Sequence, residues 1–152
     1  MSKEEARCEG TRTTVRPGFL SSPQRRREDY LTNDLPGCPK GGPLSGTDKT
    51  DKLNGGEGDD VIRGLGGKDT IVAGAGNDKT YGGDGNDLLG AEDEQPGEDV
   101  LYGGDGNDLI LSQDAQRDKI YAGKGKDKCF YDHKLDYVDS SCEKKISRVM
   151  MP

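Results

Sequence analysis

Two stretches, Gly82-Gly-Asp-Gly-Asn-Asp-Leu-Leu-Gly90 and Gly103-Gly-Asp-Gly-Asn-Asp-Leu-Ile-Leu111, decide the fold, because their nine-residue pattern recurs on both sides of them. Working outward, Gly46 to Asp139 divides into ten units: GTDKTDKLN, GGEGDDVIR, GLGGKDTIV, AGAGNDKTY, GGDGNDLLG, AEDEQPGEDVLY, GGDGNDLIL, SQDAQRDKIY, AGKGKDKCF and YDHKLDYVD. Eight units have nine residues; Ala91 to Tyr102 has three extra, and Ser112 to Tyr121 has one extra. Each unit places an Asp three residues before its last: Asp51, Asp60, Asp69, Asp78, Asp87, Asp99, Asp108, Asp118, Asp127 and Asp136. Two residues after each Asp comes a mostly apolar residue, from Leu53, Ile62 and Ile71 to Ile120, Cys129 and Val138.

This period gives meaning to a composition that is otherwise ambiguous. Only 29% of the 152 residues are hydrophobic, 34% are charged, and Trp is absent. So polar a chain sits near the limit where burial fails to offset conformational entropy. Most of its 24 glycines nevertheless fall within the repeat. At positions one, two and four of a unit they suit a turn with positive φ, in which carbonyl oxygens face inward.

The repeat resembles the GGxGxDxUx nonapeptide of RTX (repeats-in-toxin) proteins, and the units beginning at Gly82 and Gly103 match it closely. The resemblance covers about 94 residues and implies an all-β parallel β-roll, a two-sheet solenoid. In such a roll each six-residue turn binds Ca²⁺ and each following tripeptide is a short strand. Two units make one coil, so turns alternate between two edges and ions lie between turns two units apart. The chemistry agrees: Ca²⁺ takes six to eight oxygen ligands. The Asp at position six supplies a carboxylate, and the residue two later points the other way, into a thin core.

The expected metal set is Asp51, Asp60, Asp69, Asp78, Asp87, Asp99, Asp108 and Asp127, with Gly55, Gly64, Gly82, Gly85, Gly103 and Gly106 shaping the turns. Roughly four to six ions are expected from this pairing. One edge stacks the turns at Gly46, Gly64, Gly82, Gly103 and Ala122; the other stacks those at Gly55, Ala73, Ala91, Ser112 and Tyr131. The second edge loses the motif in AEDEQPGED, SQDAQRD and YDHKLD, which leaves Asp118 and Asp136 open between ligand and turn-stabilising carboxylate. Asp48, Asp84 and Asp105, at position three, are expected to be solvated.

Other chemistries fit poorly. Residues 46–139 carry a net charge of −11, the wrong sign for nucleic acid, whereas residues 1–45 carry +2. No EF-hand loop, Ser/His/Asp or Cys/His constellation, or phosphate loop has defensible spacing, and the single His133 falls in a degenerate turn. No enzyme is expected: RTX arrays often trail a catalytic domain, but residues 1–45 are too short and polar to be one. Outward Thr ladders, as an ice-binding surface would need, are missing. No apolar run is long enough to span a membrane, and MSKEEARCEG has no apolar signal segment.

Three parts are expected: an irregular segment over residues 1–43, the roll over 44–142, and a tail over 143–152. If position eight points inward, one sheet presents Tyr81, Tyr102 and Tyr121 in a row at position nine, between Arg63 and Asp139. That row is either a ladder that stiffens the sheet or a surface for a glycan or protein partner. The opposite sheet presents Val72, Leu88, Leu109, Leu111 and Phe130, an apolar face. The apolar residues of the N-terminal segment are candidates to cover it; otherwise it is a surface for a protein or glycan partner, or a dimer contact. Four cysteines allow three pairings. Cys129 and Cys142 flank the last unit and could clamp that end; Cys8 and Cys38 would then tie the N-terminal segment into a loop. The even cysteine count and the Ca²⁺ chemistry favour a secreted, extracellular setting.

Overall fold

The computed structural model describes residues 31–32, 40–90 and 97–148, and among these there is no helix. The N-terminal Cys8 and Cys38, the turn at Ala91, and most of the segment expected to cover the apolar face lie outside the described residues.

Strands follow the nonapeptide period. They are β1 (Leu31–Thr32), β2 (Gly42–Ser45), β3 (Lys52–Asn54), β4 (Asp60–Gly66), β5 (Thr70–Val72), β6 (Lys79–Asp84) and β7 (Leu88–Leu89), then β8 (Val100–Asp105), β9 (Leu109–Ser112), β10 (Lys119–Lys124), β11 (Lys128–Asp132), β12 (Tyr137–Val138) and β13 (Lys144–Arg148). Odd strands form one sheet in the order β1-β3-β5-β7-β9-β11-β13, and even strands form the other, β12-β10-β8-β6-β4-β2. Every pairing is parallel and joins equivalent positions two units apart, as Ile71↔Leu89 and Tyr81↔Tyr102 show. The chain is a parallel β-roll of about 6 coils. The three residues added in the sixth unit and the one added in the eighth leave this register intact.

The core lies between the sheets and is one residue thick. Side chains alternate along each strand, so the residue at position eight is buried. Leu53, Ile62, Ile71, Leu89, Leu101, Ile110, Ile120 and Cys129 are all essentially inaccessible. Thr80 occupies the same inward position, between an apolar group of Leu44, Leu53, Ile62 and Ile71 and a second running from Leu89 to Cys142. Its hydroxyl has no hydrogen-bond partner.

The ladder extends at both ends. β1 pairs with β3 through Leu31↔Leu53, and β2 pairs with β4 through Leu44↔Ile62. At the other end β13 pairs with β11 and places Lys145 opposite the inward-facing Cys129. A lysine there cannot continue an apolar core; its ammonium donates instead to the Val138 carbonyl at 3.1 Å. Cys142 covers the last core layer and is disulfide-bonded to Cys129, with a Cα–Cα distance of 6.4 Å.

On the even sheet, the Tyr81 and Tyr102 rings stack at 4.8 Å and 2°, and Tyr102 and Tyr121 at 5.0 Å and 11°. Arg63 caps one end of the stack, 5.4 Å from the Tyr81 centroid. At the other end the residue packed on Tyr121 is Tyr137, tilted at 5.9 Å, rather than Asp139. On the odd sheet Val72, Leu88, Leu109, Leu111 and Phe130 are half-buried, and Ile146 joins them opposite Phe130.

Candidate metal centre

The loops between strands stack into two columns of turns, and each column carries one Asp per coil. Asp51, Asp69, Asp87, Asp108 and Asp127 line one edge; Asp60, Asp78, Asp99, Asp118 and Asp136 line the other. Within a column, Oδ1 of each Asp accepts the main-chain N–H of the Asp one coil earlier. The distances are 2.8 Å for Asp69 to Asp51, Asp87 to Asp69, Asp108 to Asp87 and Asp127 to Asp108. The other column repeats the bond from Asp78 to Asp60, Asp99 to Asp78, Asp118 to Asp99 and Asp136 to Asp118.

The second carboxylate oxygen separates these residues into two kinds. Oδ2 of Asp69, Asp78, Asp87, Asp108 and Asp127 is buried and has no hydrogen-bond partner. At the first turn, in contrast, the Thr47 amide and hydroxyl both donate to Oδ2 of Asp51, at 2.5 and 2.8 Å. In the degenerate turn, the Ser112 hydroxyl donates to Oδ2 of Asp118. An ionised oxygen buried without a donor costs several kcal/mol unless a cation meets it.

Glycines at position one bring main-chain oxygens to the same place. A Cβ placed on Gly82 would lie 2.6 Å from Asp87 Oδ2 and against the Gly103 carbonyl of the next coil. One on Gly103 would lie 2.5 Å from Asp108 Oδ2 and against the Ala122 carbonyl. Gly55 and Gly64 repeat the arrangement with Asp60 and Asp69, and with the Ala73 and Gly82 carbonyls. Position four needs a left-handed backbone: Gly85 has φ +136° and Gly106 φ +139°, each packed under the position-four carbonyl of the preceding coil. One carboxylate oxygen and one carbonyl oxygen therefore converge at successive coils, which is donor chemistry suited to a hard cation. Among the described residues no three His, Cys, Asp or Glu side chains gather as a cluster, so main-chain oxygens have to complete any such set.

Without a cation the carboxyls resist ionisation. Burial pushes Asp69, Asp78, Asp108 and Asp118 up to about 6, partly offset by their bonds from the main chain. Burial raises Asp99 furthest, to about 7. Asp87, Asp127 and Asp136 move in the same direction for the same first cause. Neighbouring carboxylates along each column add to the effect at Asp69, Asp99 and Asp108.

The repeat pattern alone missed several parts of this arrangement. Position five forms a second ladder, running in the opposite sense: Asn86 Oδ1 accepts the Asn107 amide, and Asn107 Oδ1 the Lys126 amide, each at 2.8 Å. Asp59 and Asn77 do the same on the other edge. The recurring Gly-Asn-Asp was the available signal. Glu143 accepts the Asp127 amide at 2.7 Å, in the place of an eleventh Asp. Ser141 accepts the amides of Ala122 and Gly123 from the capping segment. Asp132 is buried, accepts the Ala115 amide at 2.6 Å and leaves its Oδ1 unpartnered. Asp48, Asp84 and Asp105 are exposed, and Asp105 pairs with Lys124 at 3.4 Å. His133 is exposed.

Fold and turn chemistry together define a parallel β-roll whose edges are columns of aspartates. A family model described as the RTX calcium-binding nonapeptide repeat (4 copies) matches residues 45–80, 54–89 and 96–113. These segments, less than half of the chain, are similar to that calcium-binding repeat. No curated protein and no solved structure matches the chain.

Proposed function

We propose that this chain is a secreted calcium-binding module in which Ca²⁺ couples to folding of the roll. The observation that carries this reading is the buried, unpartnered Oδ2 of Asp69, Asp78, Asp87, Asp108 and Asp127, repeated coil after coil. Asp60 and Asp99 complete the second column, and Gly55, Gly64, Gly82, Gly85, Gly103 and Gly106 hold the carbonyls in place. Bound Ca²⁺ would supply positive charge to oxygens that otherwise repel one another. The turns give it a carboxylate and main-chain oxygens, and the strands fix their spacing. Roughly four to six ions would be held in this way. Asp51 is the weakest member of the expected set, because Thr47 already satisfies its Oδ2.

RTX repeat proteins are generally secreted, and the Cys129–Cys142 disulfide suits an oxidising compartment with abundant Ca²⁺. No catalytic role is proposed. A glycan platform on the tyrosine row has the stack itself against it. Each ring covers its neighbour's face, with Arg63 and Tyr137 at the ends, so edges and hydroxyls face outward rather than open rings.

Far-UV circular dichroism of metal-stripped protein during a Ca²⁺ titration, with Mg²⁺ as control, tests the proposal. A cooperative gain of β signal with Ca²⁺ alone is expected. A spectrum that is already folded without metal, or one that never changes, would remove calcium from its central place.

A further inference from the structure

The turn from Ser112 to Asp118 departs from the repeat, yet it keeps the shape of an ion-binding turn. Asp118 sits in the column between Asp99 and Asp136, with its Oδ1 accepting the Asp99 amide at 2.8 Å. Ala115, at position four, holds φ +69°, in the left-handed region that glycine adopts at this position elsewhere. It differs by one added residue, by Gln113 at position two, whose Nε2 donates to the Tyr131 carbonyl of the next coil, and at position one. Ser112 is 4% exposed, and its hydroxyl donates to Oδ2 of Asp118 while standing 3.3 Å from Oδ2 of Asp136 on the next coil, an oxygen that also accepts the Asp132 amide at 2.7 Å. A single hydroxyl thus bridges carboxylates of two successive coils.

Two other turns bear on the part played by that hydroxyl. Ala73 and Ala122 also carry a side chain at position one, and Oδ2 of their aspartates, Asp78 and Asp127, remains buried without a partner. The methyl group therefore does not satisfy the oxygen; the serine oxygen does. We infer that the 112–118 turn is a latent Ca²⁺ site held shut by Ser112, whose hydroxyl takes the bridging place an ion takes in the regular turns. The inference rests on the calcium reading above and sharpens it by assigning one turn of the second edge to a metal-free junction. Serine bridges without neutralising charge, so this junction assembles without metal, whereas its neighbours wait for Ca²⁺.

The experiment counts Ca²⁺ bound per chain at saturation, by equilibrium dialysis, in the full-length protein and its variants. Ser112→Ala, which gives this turn the same position-one residue as the Ala73 and Ala122 turns, is expected to bind one Ca²⁺ more than the unsubstituted protein. Adding Asp118→Asn to Ser112→Ala should cancel that gain, whereas Asp118→Asn alone should leave the count unchanged. An unchanged count in Ser112→Ala, or the loss of an ion in Asp118→Asn alone, overturns the inference. Asp87→Asn, in a regular turn, reports on the underlying reading and should lose an ion. Protein that binds no Ca²⁺ at all overturns that reading together with the inference, whereas Ca²⁺ uptake with no gain in Ser112→Ala overturns the inference alone.

Discussion

Asp87 and Asp108 are joined across one coil by a 2.8 Å hydrogen bond from the Asp87 amide to Oδ1 of Asp108, which leaves Oδ2 of Asp108 buried and without a donor. One oxygen builds the scaffold and the other is available to a ligand. Substituting this residue separates the two roles. Asp108→Asn keeps an oxygen for the Asp87 amide but removes the charge; Asp108→Ala removes both. In a Ca²⁺ titration followed by circular dichroism, Asp108→Asn should raise the midpoint by about tenfold, the effect of about 1.4 kcal/mol. Asp108→Ala should raise it further and weaken the folded form at saturating Ca²⁺ as well.

The same carboxyls set an opposite pH dependence for the metal-free and metal-bound protein. In the metal-free roll Asp69, Asp78 and Asp108 stand at about 6 and Asp99 at about 7, all above their ordinary 3.8. A group raised on folding contributes stability that is full below its unfolded value and is lost as pH rises through the folded value. Protein exchanged into metal-free buffer should therefore gain β signal as pH falls from about 7.5 to about 5. Ca²⁺ needs the ionised carboxylates, so over the same range the Ca²⁺ midpoint should rise. A metal-free spectrum that loses structure on mild acidification would contradict this account.

The roll was legible in the sequence because one residue per unit performs each task. Asp at position six and the apolar residue at position eight keep their places through every insertion, so register survives even where glycines are lost. The junctions that close the array were not legible. Thr47 and Ser112 act through a hydroxyl on the aspartate of their own turn, and Ser141 and Glu143 through a side-chain oxygen that reaches a neighbouring coil. Nothing in their local sequence distinguishes them from ordinary polar surface residues. The tyrosine stack was visible as a row at position nine, but its far end was not. Tyr137 reaches Tyr121 from position seven, a diagonal contact that strand alternation does not announce.

Leu65 holds φ +80° at position two, where the next coil has Gly83 at +104°. A left-handed conformation costs an L-residue about 1–2 kcal/mol, and Leu65 is 47% exposed, so little burial offsets it. Leu65→Gly is expected to raise stability by about 0.5–1 kcal/mol after the extra chain entropy of glycine is deducted. Gly83→Ala should do the reverse, because its Cβ would lie 2.8 Å from the Leu65 carbonyl carbon. Denaturant midpoints at saturating Ca²⁺ measure both changes.

Thr80 interrupts the core with a buried hydroxyl that has no partner. Thr80→Val keeps the shape and replaces the hydroxyl with a methyl group that suits the aliphatic neighbours on either side. A stability gain of about 1 kcal/mol is expected, since an unsatisfied buried hydroxyl costs about 1–3 kcal/mol. Thermal unfolding at fixed, saturating Ca²⁺ would show it as a higher midpoint, and a lower one would mean that the Thr80 hydroxyl is satisfied in solution.

The Cys129–Cys142 bridge spans a sequence separation of 13 and closes the core at the end where Lys145 replaces an apolar residue. Cross-linking so short a segment limits the unfolded chain by about 3 kcal/mol. The paired substitution Cys129→Ala with Cys142→Ala should cost about that much, together with a contribution from the sulfur atoms lost from the buried layer. The loss should fall first on β11 and β13, the two strands that the bridge holds beside the capping segment. Hydrogen exchange at saturating Ca²⁺ locates it: the amides of Lys128 to Asp132 and Lys144 to Arg148 should lose protection before those of β4 and β6. Uniform loss along the roll would instead show that the bridge acts on the whole array rather than on its open end.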